Sequence, residues 1–64
     1  MQTITVYQEG KVISTQHMIS RMQSACAEHA IDPDEMAALS LRLIADEDAR
    51  DRFEEWTGLE VVLD

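Results

Sequence analysis

Cys26 and His29 stand three residues apart with His17 upstream, and they are the side chains in this sequence best suited to form a reactive centre. On a helix that spacing brings thiol and imidazole to one face, where both can reach one metal ion. A closed zinc site needs four such ligands, usually as two spaced pairs, and the second pair is missing. No metal and no other cofactor is therefore expected. As a nucleophile and its base, the same two groups need an orienting third group, an oxyanion site and a concave pocket. A helix surface in a chain of 64 residues provides none of these by itself. Gly10 and Gly58 are the only glycines, so there is no phosphate-cradling loop. Carboxylates are plentiful, but their spacing suits solvated helix faces better than a converging acid–base pair. The chain reads as a non-enzyme.

The second constellation is the run Asp46, Glu47, Asp48, Asp51, Glu54, Glu55, followed at once by Trp56. It belongs to a lopsided charge distribution. Residues 1–31 carry Glu9 and Glu28 against Lys11 and Arg21 and sum to zero. Residues 32–64 carry eleven acids against Arg42, Arg50 and Arg52, which accounts for the whole net charge of −8. Such a segment repels nucleic acid and anionic membrane and attracts basic protein surfaces. Residues 25–44 do have a helix–turn–helix rhythm. Its second helix, however, offers Arg42 and little else to read a base edge, so direct nucleic-acid binding is not expected. Trp56 is a candidate interface anchor beside the acids, shared with the core. Met18, Met22, Met36 and Phe53, at the same helical spacing, read first as core.

These groups need elements to hold them. Thr3 to Tyr7 are β-branched or aromatic and alternate as a strand does, with Ile4 and Val6 on one side. Gly10 suits a three-residue hairpin loop closed by a bulge, leading into a second strand at Lys11 to Ser14. Ser14 or Thr15 can cap a helix whose apolar positions, Met18, Ile19, Met22, Ala25, Cys26, His29 and Ala30, recur at three- and four-residue steps. Asp32-Pro33-Asp34-Glu35 is the strongest local signal: a capping carboxylate, a proline where its missing N–H does no harm, and a capping-box partner. The helix it starts is apolar almost all round from Met36 to Ala45, interrupted only by Ser40 and Arg42. It is either central or half-covered by a partner chain. A third helix is predicted from Asp46 to about Thr57, with Ala49, Phe53 and Trp56 on one face. Asp48–Arg52 and Arg50–Glu54 are available as intrahelical pairs, and Gly58 as a left-handed cap. Leu59 to Leu63 alternates as a closing strand or loose tail, with Leu59, Val61 and Leu63 inward.

The opening Met1-Gln2 with the Gly10-Lys11 turn resembles the first hairpin of ubiquitin over about fourteen residues, a turn pattern only. The second half has no matching strand order, so nothing further of that family is carried over. The expected fold is α+β: an N-terminal β-hairpin, three helices and a short C-terminal strand, in one domain over 1–64. A domain this small buries only about 60% of its unfolded surface, and the lone Cys26 excludes an internal disulfide. Extra stability is expected from a homodimer made through the second helix or a sheet edge. With neither a signal-like apolar run nor a membrane-length segment, a cytoplasmic location is expected and a membrane partner is not.

The function this implies is a non-catalytic protein–protein interaction module, a small acidic regulator or inhibitor that meets a basic surface through Asp46, Glu47, Asp48, Asp51, Glu54, Glu55 and Trp56. One alternative is an acidic nucleic-acid mimic. The composition resembles that of small phage and mobile-element proteins that block restriction or CRISPR complexes. Residues 46–55 as a helix span about 15 Å, over which duplex DNA carries about nine phosphate charges. Six acids less Arg50 and Arg52 fall short of that density. The other alternative is an assembly component of a phage or other complex, held by apolar contacts.

Overall fold

The computed structural model describes residues 2–64, so Met1 of the ubiquitin-like turn pattern lies outside the described residues. The elements run β1 (Ile4–Gln8), β2 (Lys11–Val12), α1 (Thr15–His29), α2 (Pro33–Leu41), α3 (Glu47–Thr57) and β3 (Glu60–Leu63). This is the expected α+β order, and the closing segment is a strand. β1 is central in a three-stranded antiparallel sheet of order β2-β1-β3, so the two ends of the chain pair with each other.

Register assigns the sheet faces. Ile4 lies opposite Leu63 and Val6 opposite Val61. These residues face the helices, and Val6 joins Ala25, Met36, Leu43, Phe53 and Leu59 in one buried cluster. Thr5, Tyr7, Glu60 and Val62 take the other face by alternation. There the Thr5 hydroxyl donates to the Asp64 carboxylate at 2.6 Å, which ties down the end of the chain.

The hairpin differs from expectation. Gln8 pairs with Lys11, which leaves only Glu9 and Gly10 in the loop, at φ 53° and 80°. Two consecutive positive φ values mark a two-residue type I′ turn, whose twist matches that of the strands it joins. No bulge residue is needed, and Glu9 accepts the left-handed conformation instead. β2 is correspondingly short, and Ile13 still donates its N–H to the Val6 carbonyl at 3.0 Å.

Each helix starts at the cap that its sequence announces. The Ser14 hydroxyl accepts from the His17 N–H at 3.1 Å, and the Asp32 carboxylate accepts from the Asp34 N–H at 2.8 Å with Pro33 next to it. Asp46 accepts from the N–H groups of both Asp48 and Ala49. That third cap explains why α2 stops at Leu41 instead of continuing to Ala45. Residues 42–45 form a turn that delivers the chain to Asp46, and Leu43 within it is 1% exposed. At the far ends, Gly58 closes α3 in the left-handed region as expected. α1 closes on Ala30 at φ 53°, a position glycine usually takes. No helix of the described residues is long and apolar enough to cross a membrane.

Candidate functional site

α3 holds the acidic run on a rigid base. Ala49, Phe53 and Thr57 are buried beneath it, and the helix packs against both α1 and α2. The Thr57 hydroxyl donates to the Phe53 carbonyl at 2.6 Å and accepts from the Leu59 N–H at 3.2 Å, which fixes the exit from α3 into β3. With those residues inward, the 3.6-residue period turns Glu47, Asp51 and Glu55 outward in one line, with Asp48 on its flank. All four are exposed.

The other two acids in the run have internal work. Asp46 caps the helix and pairs with the Arg42 guanidinium four residues back. That guanidinium first, and the Ala49 N–H after it, hold the Asp46 carboxyl below the usual carboxylate range. Glu54 is half-buried and accepts from the Val61 N–H at 2.8 Å, so its carboxylate occupies an outward-facing amide of β3. Among the described residues the ion pairs are Arg42–Asp46 and Arg21–Glu28, so neither pair available to α3 from spacing is formed. Arg50 instead donates to the Leu43 and Ile44 carbonyls at 2.9 and 3.1 Å, satisfying the turn between α2 and α3. The sequence carries no signal for the roles of Arg50 and Glu54. Both side chains reach six or seven residues along the chain to backbone groups whose position only the fold defines.

Trp56 is half-buried, packed against the core with its remainder at the surface beside Glu55. Met36 and Phe53 are core residues, and Met18 and Met22 pack against them from α1. Cys26 is half-buried and His29 exposed, and no group of three or more metal-ligating side chains converges among the described residues.

A second surface lies between α1 and α2. Ile19, Met22, Gln23, Cys26, Pro33, Met36 and Ala37 line an open groove of about 330 Å³ without an ionised side chain. Ile19 in the groove lining is 46% exposed, and Leu41 at the end of α2 is 87% exposed. α2 is therefore half-covered: Met36 and Leu39 are buried below, while Ala37, Ala38 and Leu41 face out. Comparison with protein-family models, with curated proteins and with solved structures finds no match to this chain.

Proposed function

We propose that the chain is a non-catalytic interaction module, a small acidic regulator or inhibitor that acts as a homodimer and docks on a basic protein surface. The observation that carries this reading is the outward line of Glu47, Asp51 and Glu55 on a helix anchored by three buried residues. A rigid helix presents charge without the ordering cost that a flexible acidic tail would incur on binding. Trp56, half-covered at the side of that helix, supplies apolar area next to the charges.

The number of available carboxylates favours a protein surface over a nucleic-acid channel. Asp46 and Glu54 are engaged within the chain, which leaves Glu47, Asp48, Asp51 and Glu55, with exposed Arg52 among them. An 11-residue helix spans about 16 Å, where duplex DNA presents about ten charges. The mimic reading therefore has less charge to work with than the sequence alone offers.

The test is capture of partners on the tagged full chain from nuclease-treated lysate, with Asp51→Lys/Glu55→Lys run in parallel. The expected result is a basic protein retained by the unsubstituted chain, lost by the double variant and left in place by added DNA. Displacement by DNA refutes the module in favour of the mimic. A partner indifferent to the double variant and to salt, and lost only on substitution of exposed apolar residues, refutes it in favour of an assembly component.

A further inference from the structure

β3 is the longer of the sheet's two edges, four residues against two in β2, and one of its outward amides is already taken. We propose that Glu54 is an edge guard. Its carboxylate stands where the backbone carbonyl of an added strand would sit, and so keeps β3 from pairing with β3 of a second copy. This goes beyond the proposed function and excludes β3 from the homodimer of that reading.

Register identifies the groups at stake. Asp64 donates its N–H to the Thr3 carbonyl at 2.9 Å, so the amides of Glu60, Val62 and Asp64 turn toward β1. Those of Val61 and Leu63 turn away. Between Glu60 and Asp64 run Val61, Val62 and Leu63, three apolar residues of which two are β-branched. Proline and lysine commonly blunt an edge, and this strand has neither. Left open, it is a template for another chain.

Glu54 supplies the missing device from α3. Its Oε2 accepts from the Val61 N–H at 2.8 Å, a distance typical of a ladder bond. A neighbouring strand runs about 4.8 Å away and places its own carbonyl at this position. To dock, it must expel the carboxylate from a charge-assisted hydrogen bond and offer a neutral one in exchange. The expelled group, half-buried on α3, then meets the carbonyls of both strands.

The acids at the ends of β3 also resist pairing, but by charge alone. In an antiparallel pair centred on Val62, Glu60 of each copy faces Asp64 of the other, and like charges so placed destabilise a ladder. Salt screens that repulsion, with a Debye length of about 3 Å at 1 M, and leaves a direct hydrogen bond in place. High salt therefore isolates the guard.

Sedimentation velocity of the full chain and of Glu54→Ala, from micromolar to submillimolar concentration at low salt and at about 1 M, tests this. The parent's own association is the baseline. At high salt Glu54→Ala should associate more tightly by about tenfold for each guard removed, about a hundredfold for a pair. Glu54→Gln should stay at the baseline, because its amide oxygen still accepts from Val61. Adding Leu63→Pro to Glu54→Ala removes the other outward N–H without breaking the ladder to β1, and should restore the baseline. Three results overturn the assignment: Glu54→Ala no more associated than the parent, association that Leu63→Pro leaves in place, or association shared by Glu54→Gln. Should Glu54→Ala not fold, amide exchange in the parent decides. Corrected for intrinsic rates, Val61 should exchange about tenfold more slowly than Leu63, whose N–H has no partner among the described residues. Equal rates overturn the guard. Its failure leaves Asp51 and Glu55, and the proposed function they carry, untouched.

Discussion

Replacing Thr57 by valine isolates a single hydroxyl in the joint between α3 and β3. The two side chains are nearly the same shape, and Thr57 is 1% exposed, so valine fits and adds apolar volume to a buried site. Area bookkeeping alone therefore predicts a small gain in stability. Hydrogen bonding predicts the reverse. The hydroxyl accepts from the Leu59 N–H at 3.2 Å, Leu59 is 3% exposed, and water cannot take its place. A buried donor left without a partner costs about 1–3 kcal/mol, so Thr57→Val should destabilise by about 2 kcal/mol. In a domain of this size that lowers the unfolding midpoint by about 8–16 °C. Thr57→Ser is the control. It keeps both hydrogen bonds and forfeits one buried methyl, about 1 kcal/mol, and should melt between the two. Thermal and urea unfolding followed by circular dichroism measure all three, and amide exchange at Leu59 reports the joint directly. A valine variant as stable as the parent, or more so, would show that the α3–β3 junction is not held by this bond.

Four further outcomes follow from local geometry. Ala30→Gly should raise stability by about 0.5–1 kcal/mol in thermal unfolding, since Ala30 closes α1 at φ 53° and makes no core contact. Glu9→Asn should do the same by about 0.5–1 kcal/mol, because Asn-Gly suits the two positive φ values of the turn better than Glu-Gly. For Asp46, the folded carboxyl titrates below its unfolded value of about 3.9, so its stabilisation is present above that value and lost as pH falls through the folded one. Asp46→Asn should accordingly melt below the parent at neutral pH and converge on it only as pH falls below about 3.9, as read by midpoints from neutral pH into the acid range. Asp51→Lys should stabilise the isolated chain by about 1 kcal/mol, turning two repulsive i,i+4 pairs into attractive ones, while weakening capture of the basic partner.

The parts of the fold legible in the sequence are those decided within a few residues. Ser14, Asp32-Pro33 and Asp46 place the helix starts because a cap acts over three positions, and Gly58 places an end for the same reason. Alternation from Leu59 to Leu63 correctly names the buried side of β3. What pairs β3 with β1, across separations of 53 to 59 residues, has no local signature. The hairpin loop is ambiguous in the sequence because Gly10 alone fits both a bulge and a type I′ turn, and the choice depends on Glu9 tolerating a left-handed backbone. The run from Met36 to Ala45 reads as one helix by periodicity, but the cap at Asp46 requires a turn before it. At the candidate site a solvated acidic helix face is legible from spacing, as the six acids from Asp46 to Glu55 taken together. The diversion of Asp46 and Glu54 to internal partners was not, since one depends on a helix end and the other on where β3 comes to lie.

Those diversions sharpen what the acidic run is for. Asp46 is explained as a cap, and Glu47 and Asp48 complement the positive end of the α3 dipole. Glu54 is explained by the β3 amide it occupies. Asp51 and Glu55 have no such account. They lie beyond the first turn, where the dipole gives them nothing, and Glu55 sits near the negative end. With Glu47 they make two like-charge pairs at four-residue spacing, each costing the helix about 0.2–0.5 kcal/mol. Among the described residues Arg52 forms no ion pair that would relieve them, and Arg50 is turned toward the α2–α3 junction. Folding therefore accounts for four acids of the run and is opposed by the remaining two. Among the described residues neither side chain makes a hydrogen bond or ion pair that offsets this cost, which is the pattern the proposed function calls for. Under the proposed function, Asp51 and Glu55, ahead of the rest of the run, are the acids we propose for pairing with a partner's cations.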